Sequence, residues 1–393
     1  MISIINIDNF TIISGAILLF VAIVFSFITP YLRFKRGKWE RQEKAHADSL
    51  PPLSVIITPH DEPEALERNL PSMMAQKYEP GFQIIVIIEE GEGETEEVLK
   101  RFQHSLDETQ SNCSIYVTYI PQSSRYVSRK KLAMTLGIKA AKTDWILLTE
   151  PTVKPASDTW LQTMAENCTE DNSLVLGYGA FDDEASAFKR FDRLNAAYYL
   201  MREAARGNAY ATIAPNIMIR KSKFMEQDGF RGNLNLIHGE YDFLVNKYSA
   251  QDRVALETRR EAWTIEDAPS DLTWKARNII YAETRKWLDR SLGHRFWFNL
   301  DQLALHIQFI LAIVGMVWGG VTSNVILLAS SALAFVVGYV LHTVFGKMAM
   351  SAFDEKIPLL LIYPFQLSVI WKNLVYLLRH KFSNKLDFTT HKQ

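Results

Sequence analysis

Apolar residues follow two rhythms along this chain. From residue 53 to residue 150, short apolar runs alternate with stretches in which apolar positions recur every three or four residues. The runs LSVIIT (53–58), FQIIVIIE (82–89), SIYVTYI (114–120) and DWILLTE (144–150) predict β-strands. The stretches 64–76, 94–106 and 130–142 carry helical spacing and predict helices. A break or kink is expected at Pro71, which has no N–H to give a helix. Strand–helix alternation of this kind predicts an α/β domain, a mostly parallel sheet with helices on both faces. Ligands of such sheets bind beyond the C-terminal ends of the strands. Chemistry is therefore expected at residues 58–62, 89–94 and 150–152. No Gly-x-Gly-x-x-Gly turn follows the first strand and no Walker lysine loop occurs, which removes the main support for dinucleotide and P-loop readings.

The second rhythm is a near absence of polar positions over membrane-length runs. Residues 10–31 carry no charge, and about 20 apolar residues cross a bilayer as a helix. The basic residues Arg33, Lys35, Arg36, Lys38 and Arg41 follow this run instead of preceding it, which predicts a retained anchor over residues 1–34 in place of a cleaved signal peptide. Residues 303–321 and 325–341 are two further runs joined by an uncharged TSN, and predict a transmembrane hairpin over 303–342. His306 and Gln308 stand near one end of the first run, where interfacial placement accounts for them. A fourth stretch, 357–378, is interrupted by Pro364, Gln366, Lys372 and Asn373. It reads as a helix lying on the cytoplasmic face, within a tail over 343–393. The segment 286–302, with WLDRSLGHRFWFNL at 287–300, reads as amphipathic and interfacial. The positive-inside rule then gives a multi-pass protein of the cell membrane with three spans. A basic linker (35–52) and the α/β domain (53–285) lie in the cytoplasm.

Charge and cysteine content exclude two classes of partner. Lys and Arg total 43 against 44 acidic residues, so no global basic field exists to collect the phosphates of a nucleic acid. Cys113 and Cys168 have no metal-binding spacing, and a disulfide is not expected in a reducing compartment.

The strand ends carry a recognisable set of motifs. LSVIITPHDEPEALERNLPSMMAQKYEPGFQIIVIIEEGEGETEEVLKRF resembles the opening of glycosyltransferase family 2, in its membrane-anchored branch with a GT-A fold. There a strand is followed by Asn-Glu and a second strand ends in paired Asp residues. SRKKLAMTLGIKAAKTDWILLTEPTVKPASDTWL is similar to the next block, in which a lysine precedes a helix and the following strand delivers Asp-x-Asp. HGEYDFLVN (238–246) resembles the block that supplies the catalytic base. The resemblance spans about residues 53–290. It implies a nucleotide-sugar donor, a UDP-sugar first among them, and a glycan or lipid-linked acceptor beside membrane lipid. It also implies Mg2+ or Mn2+ to carry the charge of the diphosphate leaving group, and a general base to take the acceptor proton. Displacement at the anomeric carbon then proceeds with inversion.

Carried over residue by residue, Asp61 and Glu62 stand where the family has Asn-Glu, near the nucleotide. Ile88 and Glu89 fall on the Asp pair, and an aliphatic side chain cannot hydrogen-bond a uracil edge. Lys130 matches the lysine near the diphosphate. Glu150 and Thr152 occupy the two acidic positions of Asp-x-Asp, the expected metal site. In the base block Tyr241 sits in strict register, but an ordinary phenol ionises only near pH ~10. The base candidates are therefore Asp242 and Glu240. The Gln-x-x-Arg-Trp signature of processive relatives is absent; ETRKW (283–287) offers Arg285, Lys286 and Trp287 nearby. Two readings follow: an active transferase, or a catalytically degenerate member serving as a binding or assembly subunit in glycan synthesis. Substrate specificity is expected in the loops 181–193 and 211–216.

Overall fold

The computed structural model describes residues 9–37, 49–107, 112–121, 126–250, 252–384 and 386–389. They form two compact units. One gathers the chain up to Lys35 with Ala187–Tyr199 and Ser291–Leu374; the other holds Arg36–Ser186, Leu200–Arg290 and the chain from Val375 onward. The predicted domain boundaries differ from this division. Part of the expected 53–285 domain groups with the apolar helices, and the C-terminal tail groups with the α/β unit.

The chain opens with helices α1 (Asn9–Ser26) and α2 (Pro30–Arg33). In the α/β unit the four predicted strands are present as β1 (Leu53–Ile57), β2 (Phe82–Glu89), β3 (Cys113–Ile120) and β4 (Trp145–Thr149). Helices α3 (Pro63–Met74), α4 (Gly93–Asp107) and α5 (Arg129–Ala140) lie between them in sequence. β1 is buried throughout and β2 at all but its last residue, which is why those runs contain so few polar positions. Pro71 lies inside α3 and does not break it. It stands in the last turn, where it forfeits one backbone bond while its own carbonyl still accepts from Ala75 N at 3.0 Å.

Beyond β4 come β5 (Val153–Pro155), α6 (Trp160–Ala165), β6 (Asn172–Gly177), β7 (Gly179–Phe181), α7 (Ala187–Ala204), β8 (Ile217–Arg220), α8 (Lys221–Glu226), α9 (Glu240–Ser249), β9 (Arg253–Glu257), β10 (Thr264–Glu266) and α10 (Asp271–Thr284). The main sheet runs β3-β2-β1-β4-β8-β6-β9, and a small one runs β5-β10-β7. β1 is parallel to β2 and β4, whereas β8 is antiparallel to β4 and β6. The chain builds outward from β1 through β2 to β3, then returns to add β4 on the other side of β1. The order reverses at the β1/β4 border, and the crevice beyond that border is where such a sheet receives its ligand.

The other unit is dominated by α1, α11 (Leu292–Val321), α12 (Val325–Ala352) and α13 (Leu359–Phe382); a short α14 (Leu386–Thr389) follows in the α/β unit. Helices α1, α11, α12 and α13 are each long and apolar enough to cross a membrane. α11 begins at Leu292, not at 303, because the Ser291 hydroxyl caps it by accepting from His294 N at 3.0 Å. The expected interfacial segment is largely its first turns. That extension moves Gln308 to mid-helix, where it is buried and hydrogen-bonds Ser26 Oγ of α1 at 3.3 Å. There its polar side chain joins two helices. A partly buried set near residue 301 joins Arg33 to Asp301, with Tyr199 Oη donating to the same carboxylate at 2.9 Å and the Trp297 ring 4.8 Å from the guanidinium.

Candidate active site

Three elements deliver charge to the β1/β4 crevice. Ser128 caps α5 by accepting from Lys131 N at 3.3 Å, so Arg129 and Lys130 stand in its first turn. The turn after β4 carries Glu150, and its Pro151 carbonyl is held by Asn69 Nδ2 of α3 at 2.9 Å. Gly239 adopts φ 88°, a left-handed conformation that starts α9; a Cβ there would lie 2.8 Å from Thr284 Cγ2.

Lys130 Nζ pairs with Glu150 Oε1. Burial would weaken the ammonium's hold on its proton, but Glu150 first, then Glu240 and Glu62, outweigh it, so the net shift is upward. Burial, reinforced by Glu150, pushes the Glu62 acid up. Glu240 is buried and accepts from Ser128 Oγ at 3.4 Å. Tyr241 donates its hydroxyl to the Thr149 carbonyl at 3.2 Å, with Lys130 Nζ 5.4 Å from its ring. Burial and then the Glu150 charge push that phenol well above its ordinary range, the opposite of what a base requires. Glu62, Lys130, Glu150, Glu240 and Tyr241 thus converge.

The remaining candidates stand apart from that knot. Asp242, two residues after Glu240 on α9, accepts from Thr212 N at 2.9 Å. Burial pushes its acid up to about 6, Glu240 adding to the shift and the Thr212 N–H opposing it. Thr152 uses its carbonyl to accept from Asp267 N at 2.9 Å. Glu89 pairs with Arg129, while Ile88 is 1% exposed and belongs to the core. Asp61, with φ 53°, turns the loop after β1. With Glu62 it lines a cleft of about 600 Å³, whose other charged walls are Glu64, Arg68, Glu92 and Glu94. Asn216, within an expected specificity loop, is fully buried and donates to the Tyr178 and Ala262 carbonyls at 3.1 and 2.9 Å; its role is structural.

The motif reading missed Ser128, Arg129, Asn69 and Asp267. Ser128 and Arg129 were legible as a cap and a basic neighbour before Lys130. Asn69 and Asp267 carry no local signal, since their partners lie far off in sequence.

The chemistry of the donor set tests the expected metal position. Glu150 and Thr152 offer one carboxylate, already engaged by an ammonium, and one hydroxyl. That set does not fit a divalent-cation site, which needs several oxygen ligands with charge to spare.

The sheet order, the charged crevice at the switch point and the long apolar helices define a GT-A-type glycosyltransferase domain with candidate membrane helices. The chain belongs to glycosyl transferase family 21, whose family model matches residues 16–233. This places it in family 21 where the motif resemblance pointed to family 2, with the expected GT-A fold retained. Among solved structures, the mannosyltransferase PcManGT from Pyrobaculum calidifontis in complex with GDP-Man and Mn2+ is similar over 91% of this chain and 99% of its own, at TM-score 0.55 and 14% identity. GalNAc-T7 with UDP, GalNAc and Mn2+ aligns over 56% of this chain and 44% of its own, at TM-score 0.40 and 11% identity. No curated protein sequence matches.

Proposed function

We propose that the protein transfers a sugar from a nucleotide-sugar donor to a lipid-linked or envelope-glycan acceptor, with inversion, at the β1/β4 crevice. The observation that carries this reading is Lys130, an ammonium held charged by three carboxylates at the point where the sheet order reverses. A diphosphate entering there exchanges one anionic partner of Lys130 for another, and the lysine takes up leaving-group charge. Asp242 serves as the base: an acid near 6 is ionised at neutral pH yet more basic than an ordinary carboxylate. Glu240 and Glu62 hold Lys130 in place. Asp61 lines the cleft expected to take the nucleoside, Glu89 ends the neighbouring strand β2, and UDP is the first nucleotide to test. No step is routed through a metal at Glu150.

Titration calorimetry of UDP and GDP against the full chain in detergent tests this, with and without chelator. Micromolar binding of one nucleotide, at least tenfold weaker in Lys130→Met, is expected. Equal binding by wild type and Lys130→Met defeats the reading. The runner-up is a degenerate subunit that keeps the fold to bind or assemble other components. It is favoured by the internal Lys130–Glu150 pair and by the buried Tyr241 phenol in the base register. It takes over if neither nucleotide binds at millimolar concentration.

A further inference from the structure

Beside this crevice a second cluster presents a different donor set. His60 Nδ1 lies 3.5 Å from Glu89 Oε1 and 3.8 Å from Glu92 Oε1, and the three ligand atoms all fall within 4.8 Å of one another. The other oxygen of Glu89 is taken by Arg129, an arrangement that orients a ligating carboxylate while leaving its inner oxygen available. Glu92 supplies the independent observation. Its side chain is only 7% exposed, Oε1 accepts from Glu89 N at 3.3 Å, and Oε2 is buried with no hydrogen-bond partner. A buried carboxylate oxygen left unpaired is costly, and native proteins usually satisfy it with water or an ion.

We propose that His60, Glu89 and Glu92 form a divalent transition-metal site, of which Zn2+ is the probe, between the turns that follow β1 and β2. One imidazole and two carboxylate oxygens at metal–ligand lengths of about 2.0–2.2 Å match the zinc donor set. Drawing the three atoms in takes only a small movement, and His60, whose side chain is 71% exposed, is free to make it. A nitrogen ligand favours zinc or cobalt over magnesium, which prefers oxygen and keeps its waters. Glu92 also lines the acid-walled cleft. A cation there offsets the charge of Asp61, Glu62, Glu64 and Glu94 on the cleft walls.

The test is zinc titration calorimetry on the full chain in detergent without nucleotide, which keeps it separate from the transferase reading. Co2+ substitution serves as a spectroscopic check. The expected result is one equivalent bound, with visible d–d bands from cobalt. Affinity should fall at least tenfold in His60→Ala and in Glu92→Gln, while Glu94→Gln on the same cleft binds as wild type. Magnesium in excess should not displace the zinc. His60→Ala removes an exposed side chain, so its melting temperature confirms that the fold is intact. Stoichiometric binding unaffected by His60→Ala and Glu92→Gln, or no binding by wild type at millimolar zinc, overturns the proposal.

Discussion

Burial holds the Asp242 acid at about 6, against 3.8 for the free side chain. The folded state therefore binds that proton more tightly than the unfolded chain. Below pH ~4 both states are protonated and folding incurs no penalty; as pH rises through about 6 the unfolded chain gains by ionising first, and that stability is lost. Asp242→Asn cannot ionise and still offers an oxygen to the Thr212 N–H. It is expected to melt a few degrees above wild type near pH 8 and equally near pH 4, which paired thermal melts check. Lys130 and Glu150 behave differently because each is the other's partner. Lys130→Met removes the ammonium that Glu62, Glu150 and Glu240 share. Adding Glu150→Gln to it should recover part of the loss, with a coupling energy of about 1–3 kcal/mol from a double-mutant cycle. A coupling near zero makes the pair a surface contact and removes the basis for the diphosphate exchange.

At the scale of elements, legibility follows the range of the forces. β1, β2, β4 and helices α3 to α5 were visible because each is specified by its own residues: an uninterrupted apolar run, a cap, a helical stripe. The antiparallel β8 and the three-residue strands β5, β7 and β10 were not, because strands so short exist only through distant partners. Asn216 shows the mechanism. Its amide bonds the Tyr178 and Ala262 carbonyls, and its oxygen accepts from Trp160 Nε1 at 3.1 Å, tying together segments that share no local pattern. Likewise the motif order announced Glu150 and Lys130 as site residues, but not that they pair. Gly177, at the end of β6, is the steric condition for this hub, since a Cβ there would lie 2.2 Å from Asn216 Nδ2. Gly177→Ala is expected to displace the amide and cost about 1–3 kcal/mol, measured by denaturant unfolding. Stability equal to wild type would mean that the amide moves without losing its partners.

For the whole molecule, chain connectivity limits the number of crossings. α11 leaves the α/β unit directly after Arg290, and the chain rejoins that unit at Val375. There Ile237 N donates to the Phe388 carbonyl at 2.9 Å, and Glu283 holds His380 Nε2 at 2.7 Å. Both ends of the intervening segment thus belong to one unit, and if that unit lies on one side of a membrane the crossings between them are even in number. The expected pair is α11 and α12. On that expectation α13, although its 24 residues are enough to span, would lie along or dip into the surface, and α1 would bring the total to three. Of the basic cluster expected to orient α1, Lys38 and Arg41 fall outside the described residues, while Arg33 is engaged by Asp301 and the Arg36 guanidinium lies 4.7 Å from the Trp263 ring; the positive-inside argument rests on the cluster as a whole. The expected outcome is read by single cysteines, against native Cys113 and Cys168, both buried. In intact cells an impermeant maleimide should label a cysteine at Ser323, in the α11–α12 turn, and reach one at Asp171 or Asn384 only after permeabilisation. Labelling at Asn384 in intact cells would make α13 a fourth crossing, and would require the contacts of Phe388 and His380 with the α/β unit to be absent in the membrane. Labelling at Asp171 alone would invert the protein and deny its crevice the nucleotide sugars of the cytosol.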